Sequence, residues 1–191
     1  MENTLLSSSV TVAKYRQFEA EKDRDGIADF IWERFTERYI RPLSVDPAKK
    51  HGFCTMAISC LMIEALQSFW NGWPDTRNSS REAYRSFFKQ CQEQGSALGV
   101  FCEEADDFYL GVRCGILHQA ETTRGWRIHR KRPLLEPHTK IINATLFHSE
   151  LENVLAAYRD KLKQAHWNSE IWCNLRKKME AVIQNCHLNH E

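Results

Sequence analysis

An arginine and a histidine stand five residues apart in an otherwise uncharged segment, as Arg113 and His118. Arginine holds a phosphate through a planar fork of N–H donors and keeps its charge, whereas histidine titrates near neutral pH and can accept or donate a proton. Together these residue types suffice for cleaving RNA without a metal. The imidazole would deprotonate the ribose 2′-OH or protonate the leaving 5′ oxygen, and the guanidinium would stabilise the charge developing on the phosphate. The expected products are a 2′,3′-cyclic phosphate and a 5′-hydroxyl.

The residues around this pair predict a buried helix. Between Asp107 and Glu121, only Arg113 and His118 carry or gain charge near neutral pH. A helix that is apolar on nearly all sides is normally buried, and a buried guanidinium needs either an acid partner or a cleft that accepts an anion. On a helical wheel the two side chains lie about 140° apart. This angle requires the arginine to curl toward the histidine, or the arginine of one copy to act with the histidine of another.

Two glycines mark the same helix, because Gly111 and Gly115 stand four apart and leave a bare strip beside His118. A second backbone, from the same chain or from another copy, can approach such a strip closely. A structural interpretation is also open, in which Arg113 pairs with a core acid such as Glu64 and His118 is a hydrogen-bonded core histidine. The chain is then a helical bundle with no chemistry at this helix.

The string that starts at Arg113, RCGILHQAETTRGWRI, resembles the motif helix of the HEPN superfamily. In that family an arginine and a histidine are separated by four to six residues near the end of the last core helix. Gln119 and the Thr-Arg-Gly-Trp turn are similar to variants in which the helix exits into a short strand. Cys114 stands where the family commonly has Asn, Asp or His. The resemblance is confined to this string.

The resemblance implies an all-α, HEPN-like bundle of about five to six helices with a small β-hairpin after the motif helix. It implies a metal-independent endoribonuclease without a cofactor, in which Arg113 and His118 are catalytic and Cys114 and Gln119 support them. A homodimer with the pair at its cleft, an RNA substrate, and an antitoxin or nucleotidyltransferase partner in a toxin–antitoxin or antiviral defence system are further implications. Other members of the family are non-catalytic modules that bind a nucleotide, an RNA or a partner protein.

One concentrated basic segment follows the predicted helix directly and contains Trp126. Basic groups bind phosphates, and an aromatic ring can stack on an unpaired base, so this segment is a candidate RNA-binding rim. The alternative is a solvated hairpin with Trp126 in the core. A second basic run, 176–178, is expected on the exposed face of the last helix. The basic residues of the candidate rim are Arg124, Arg127, Arg130, Lys131 and Arg132.

Three other groups of residues could carry chemistry. The acidic cluster 103–107 could ligate Mg²⁺, but carboxylates at the start of a helix are explained by its dipole. Cys114 could be an activated nucleophile, but no triad pattern accompanies it. Cys186, His187 and His190 could hold a metal, although a polar tail is the simpler expectation.

The composition fits one soluble globular domain over residues 1–191, with 1–9 and 188–191 loose, because 42% of residues are hydrophobic and 27% are charged. The net charge of +1 means that any nucleic-acid site must be locally basic. Seven cysteines without a C-x-x-C pair predict reduced thiols in a cytoplasmic protein. The start of the chain does not have a signal-peptide pattern, and the apolar run 53–66 is interrupted by polar residues, so no membrane span is predicted.

Hydrophobic periodicity predicts that most of the chain is helical. Two short strands, at 126–129 and 140–146, are expected to form the hairpin. The predicted helices cover 12–43 with a break near Asp25-Gly26, then 48 or 51 to 71, 81–94, 103–121, 147–165, and a last helix that is capped by Ser169 and runs to 186.

Overall fold

We describe the chain from a computed structural model, which covers residues 2–43 and 51–188, with side chains as far as Cys186. Helices account for most of these residues and pack around one cluster of buried apolar side chains. The predicted all-α architecture with a small β element is confirmed. The helices are α1 (Val12–Glu21), α2 (Arg24–Phe35), α3 (Gly52–Asn71), α4 (Ser80–Glu93), α5 (Ala105–Phe108), α6 (Cys114–Gln119), α7 (Ala144–Gln164) and α8 (Glu170–Leu188). The strands are β1 (Arg127–His129), β2 (Leu135–Glu136) and β3 (Ile141–Asn143).

The predicted first helix is two helices, which separate just before the expected break. Lys22 adopts the left-handed conformation, with φ of 54°, and ends α1. The Oδ1 atom of Asp23 accepts a hydrogen bond of 2.9 Å from the backbone N–H of Gly26 and begins α2. An aspartate at this position satisfies N–H groups that have no partner inside the helix. The cap, rather than the glycine, therefore sets the boundary.

The first residues of the chain are attached to α2, although their composition predicted a loose segment. Leu6 is buried in the core, and Leu5 forms a β-bridge with Thr11. The hydroxyl of Ser7 donates a hydrogen bond of 3.1 Å to Glu33. At the other end of the chain, residues 189–191 lie outside the described range.

The central element is α3, which packs against α4, α7 and α8. Its buried apolar side chains lie on more than one side, as the sequence predicted for a core helix. Among the described residues it is the one helix long and apolar enough to cross a membrane, although no span was predicted. This is weak evidence for a span, because 61% of its most apolar window is buried inside the protein and core helices pass the same test.

The three strands form a sheet in the order β1–β3–β2. β1 runs parallel to β3, with Arg127 opposite Ile141. β2 runs antiparallel to β3, with Leu135 opposite Ile142. The predicted pairing of the first strand with segment 140–146 as a hairpin is therefore wrong. The hairpin is β2–β3, and β1 joins the opposite edge of β3.

Helices α7 and α8 both begin differently from the prediction. The side chain of Asn143 accepts hydrogen bonds from the backbone N–H groups that follow it. This cap ends β3 and begins α7 at Ala144, earlier than the predicted Phe147. Ser169 precedes α8 as expected, but its buried hydroxyl has no hydrogen-bond partner among the described residues. The expected side-chain cap is thus absent at Ser169.

Candidate active site

The predicted motif helix exists, and it is not a regular α-helix. α5 continues through a π-helical turn, Tyr109–Arg113, into α6, so that residues 105–119 form one helix, called the motif helix below. In the π-turn, the backbone N–H of Cys114 reaches the carbonyl of Tyr109. Such turns widen a helix locally and are frequent at functional sites. Arg113 is the last residue of this turn.

Arg113 pairs with the core acid that the structural interpretation named. Its Nε donates to Oε1 of Glu64 in α3 over 2.8 Å, and the two side chains are 16% and 11% exposed. Burial lowers the pKa of Arg113, but the hydrogen bond from Arg113 to Glu64 and the attraction between the two charges outweigh it and hold that pKa above its usual value. The guanidinium therefore stays charged. The Cζ atom of this guanidinium lies over the Tyr109 ring, 5.5 Å from the ring centroid.

Glu64 is held by further hydrogen bonds that the sequence did not reveal. Its Oε2 accepts from the hydroxyl of Thr76 at 2.9 Å and from that of Ser80 at 2.8 Å. Ser80 begins α4, and Thr76 lies after a glycine and a proline in the connection between α3 and α4. No signal in the sequence connects either hydroxyl to α3. Because both carboxylate oxygens are engaged, Glu64 presents a fixed acceptor to Arg113.

His118 does not fit the structural interpretation, because it is exposed to solvent. Within 2–43 and 51–188, no hydrogen bond or ion pair is recorded for its imidazole, and none connects it to Arg113. The neighbouring Leu117 is also exposed, at 41%. Gln119 ends the helix on the surface, and Cys114 is half-buried. The motif helix thus presents its histidine outward while its arginine is anchored inward.

The bare strip along Gly111 and Gly115 is filled by the same chain. A Cβ on Gly115 would lie 2.5 Å from the carbonyl oxygen of Glu121, and one on Gly111 would lie 2.4 Å from the Trp126 ring. The backbone N–H of Thr123 donates to the carbonyl of Gly111 at 2.8 Å. Of the two possible occupants of the strip, the following loop is therefore the one observed.

Asp107 fastens that loop to the motif helix. It accepts hydrogen bonds from Arg124 at 2.7 Å, from the Trp126 indole at 2.9 Å and from Lys140 at 2.6 Å. Burial raises the pKa of Asp107, but these three donors outweigh it and hold that pKa below its usual value. Trp126 is 3% exposed and belongs to the core, so it is not a free platform for a base.

The basic segment is spread around the small sheet, and several of its charges have partners. Arg124 pairs with Asp107, and Arg132 pairs with Glu136 at 3.1 Å, although both arginine side chains remain about half exposed, at 53% and 50%. Arg127 donates to a backbone carbonyl at 3.2 Å and Arg130 donates to a hydroxyl at 2.9 Å. Lys131 is exposed on the connection between β1 and β2. Arg124 is held beside the motif helix through Asp107, whereas Arg127, Arg130 and Arg132 contact Thr139, Thr145 and Glu136.

The other candidate groups receive no support as chemical sites. Within the acidic cluster, Asp106 accepts hydrogen bonds from Arg81 at 2.9 Å and from Arg85 at 2.6 Å. No cluster of three or more histidine, cysteine or acidic side chains with metal-binding geometry occurs in the part of the chain that the structure describes. The side chain of His187 and all of His190 lie outside that part.

Comparisons of this chain with known proteins found no relative. The chain matches no protein-family model, no curated protein and no solved structure.

Proposed function

We propose that the chain is a metal-independent endoribonuclease of the HEPN type, in which Arg113 stabilises the scissile phosphate and His118 is the general acid or base. The reaction is attack of the 2′-OH on the adjacent phosphate, which leaves a 2′,3′-cyclic phosphate and a 5′-hydroxyl. By resemblance, its setting is a toxin–antitoxin or antiviral defence system in the cytoplasm, with an antitoxin or a nucleotidyltransferase as a further partner.

The observation that carries the proposal is the environment of His118. The imidazole is exposed and has no recorded protein partner in the described ranges, so it can contact a ribose hydroxyl or a leaving oxygen. A histidine with a purely structural role on this helix would be buried and hydrogen-bonded. His118 is therefore accessible to a substrate, which the hydrogen-bonded core histidine of the structural interpretation would not be.

The mode in which Arg113 is held also supports a role with phosphate. Glu64 takes the Nε donor, and no other hydrogen bond of the guanidinium is recorded within the described ranges. The two terminal nitrogens are the pair that grips a phosphate in a bidentate manner. An arginine anchored through Nε holds this pair in a fixed direction, which favours stabilisation of a transition state over loose electrostatic attraction.

Two exposed leucines support a homodimer that completes the site. Leu117 on α6 is 41% exposed, Leu61 on α3 is 43% exposed, and these two helices pack against each other. A second copy covering both leucines would bring its own motif helix to the same cleft. Sedimentation of the wild type as a dimer and of Leu61→Asp as a monomer is the expected result. A wild type that sediments as a monomer at micromolar concentration contradicts this part of the proposal.

The test of the activity uses purified protein, a single-stranded RNA of mixed sequence and a tRNA pool, all in EDTA. We expect cleavage by the wild type and its loss in His118→Ala, with a cyclic phosphate at the new 3′ end. Arg113→Lys is expected to lose most of the activity, because an ammonium keeps the charge but not the planar fork. The matched control is His138→Ala, which removes another exposed histidine outside the motif helix.

Two outcomes would contradict the proposal. Cleavage that is equal in the wild type and in His118→Ala belongs to a contaminant or to another site. Products with a 3′-phosphate that never pass through a cyclic form would exclude attack by the 2′-OH. Circular dichroism of each variant shows whether a loss of activity reflects loss of the fold.

A non-catalytic module that binds a nucleotide, an RNA or a partner protein is the second candidate. The observation that favours it is the ion pair itself, since Arg113 already has a carboxylate partner in Glu64. This candidate predicts binding of the same RNA by the wild type and by His118→Ala with no cleavage of any substrate. Weakened binding in Arg113→Ala would then identify Arg113 as a ligand clamp.

A further inference from the structure

A cavity of about 160 Å³ lies between α2, α3 and α8, away from the motif helix and the basic segment. Three cationic side chains line it: Arg34, Arg38 and Lys178. None of the residues lining it carries a carboxylate. Its remaining wall includes the aromatic rings of Tyr39 and Phe69. Lys178 was expected in a basic run on an exposed helix face, but it is half-buried.

The partners of these cations are neutral. Arg34 and Arg38 both donate to the backbone carbonyl of Leu6, Arg38 over 3.2 Å. Lys178 donates to the backbone carbonyl of Pro74 over 2.8 Å. A carbonyl oxygen satisfies a donor without cancelling its charge, and no ion pair of the three is recorded within residues 2–43 and 51–188. Three like charges that converge without a carboxylate in ion-pair contact repel one another.

The electrostatics reflect this uncompensated charge. Burial, followed by repulsion from Arg38, lowers the pKa of Arg34 to about 10. Burial also lowers the pKa of Lys178; Asp75 opposes this shift and Arg34 adds to it. Asp75 does not line the cavity. A bound anion would reduce both the repulsion between the cations and the cost of their desolvation. It would therefore stabilise the charged forms of Arg34 and Lys178.

We infer that this cavity is a binding site for a phosphate group, either free orthophosphate or the 5′-phosphate of a nucleotide. Two guanidinium groups and an ammonium supply the directional and point-charge contacts that tetrahedral oxyanions take in proteins. The volume admits one such group. The aromatic wall lowers the local dielectric and so strengthens each contact. The site is independent of Arg113 and His118, and its test does not depend on ribonuclease activity.

The experiment titrates the full chain with sodium phosphate and, separately, with AMP at low ionic strength, by calorimetry and by thermal unfolding. Saturable binding and a rise in Tm are expected for the wild type. Lys178→Gln is expected to weaken binding at least about tenfold, the loss typical of one charge-assisted hydrogen bond. The matched control is Lys177→Gln, which removes the same charge from an exposed neighbouring position of α8 and does not touch this cavity.

The arms of the titration separate the two sources of phosphate. Tighter binding of AMP than of orthophosphate identifies a nucleotide, and equal or weaker binding identifies the free ion. Arg38→Gln is a second variant in case Lys178→Gln does not fold, because Arg38 is exposed and Arg34 keeps its own bond to Leu6. Binding that is equal in the wild type and both cavity variants, or no saturable binding by the wild type, overturns the inference.

Discussion

Arg113 donates its Nε–H to Oε1 of Glu64 over 2.8 Å, and this contact joins the end of the π-helical turn to the central helix α3. The same carboxylate holds the hydroxyls of Thr76 and Ser80. The ion pair is therefore the meeting point of the motif helix, α3 and the start of α4. If Arg113 binds phosphate, Glu64 is a positioning residue that fixes the direction of its fork.

We expect Glu64→Ala to lower the free energy of unfolding by about 2–4 kcal/mol, because it leaves a mostly buried guanidinium without its counter-charge and two hydroxyls without their acceptor. Urea denaturation of the two proteins measures the difference. The control is Glu82→Ala on α4, whose carboxylate is 57% exposed and 3.8 Å from Arg85. Glu82→Ala should lower the free energy of unfolding by no more than about 0.5 kcal/mol. Equal losses in the two variants would mean that the buried pair contributes no more than a surface one.

A third variant, Glu64→Gln, separates stability from activity. Glu64→Gln keeps an oxygen acceptor for the Nε of Arg113 and removes the charge. A positioning role predicts that RNA cleavage falls in Glu64→Gln while the protein still folds, mainly through kcat. A purely structural role predicts that a folded Glu64→Gln cleaves as the wild type does.

Sequence reasoning located the helices well because the apolar periodicity of a helix is local. The sequence also offered a core acid such as Glu64 as one of two possible partners of Arg113, beside a cleft that accepts an anion, since a guanidinium on an apolar helix has few ways to be satisfied. It left the occupant of the strip along Gly111 and Gly115 open between the same chain and another copy. A glycine strip indicates that a backbone comes close, but not which one, because that depends on where the chain turns after Gln119.

The sheet shows a second limit. The pattern at β1 and β3 predicts strands, but their parallel pairing depends on a crossover by the connecting segment and on β2, which is only two residues long. The cavity with Arg34, Arg38 and Lys178 shows a third. Arg34 and Arg38 lie four residues apart, but Lys178 lies 140 residues beyond Arg38, and no local pattern relates it to them.

The close approach at Gly115 reverses the usual effect of an alanine in a helix. Replacing a glycine by alanine inside a helix normally stabilises it by up to about 1 kcal/mol. At Gly115 the new Cβ would lie 2.5 Å from the carbonyl oxygen of Glu121, a residue whose N–H donates to the carbonyl of Gly115. We expect Gly115→Ala to destabilise the protein by about 1–3 kcal/mol in thermal or urea unfolding, as overpacking does. Gln119→Ala, on the exposed end of the same helix, is the control and should change stability little.

Gly115→Ala also tests whether the loop that follows the motif helix affects RNA binding. If the substitution displaces the segment that leads into the basic rim, RNA binding should weaken together with stability. A stabilised Gly115→Ala would show that the loop does not rest against the motif helix in solution.

The carboxylate of Asp107 should make stability depend on pH in a predictable direction. Its pKa in the folded protein is lowered by its donors Lys140, Arg124 and Trp126, which outweigh the effect of burial. A group of this kind stabilises the fold fully above the pKa of the unfolded chain, about 3.9 for aspartate, and loses that contribution as the pH falls through the folded value. The difference in unfolding free energy between the wild type and Asp107→Asn should therefore be constant near neutral pH and shrink below about pH 4.

Urea unfolding of both proteins between neutral and acidic pH measures that difference. We expect it to be about 1–3 kcal/mol at neutral pH, the range for removing a charged acceptor from several donors. The control is Asp29→Asn, a carboxylate that is 58% exposed and pairs with Lys163 at the surface, for which the difference should stay small. A difference for Asp107→Asn that is the same at neutral pH and below the folded pKa would show that the charge of Asp107 does not hold the loop. The anchoring of the exit from the motif helix would then rest on the Trp126 ring and on the backbone contact between Thr123 and Gly111.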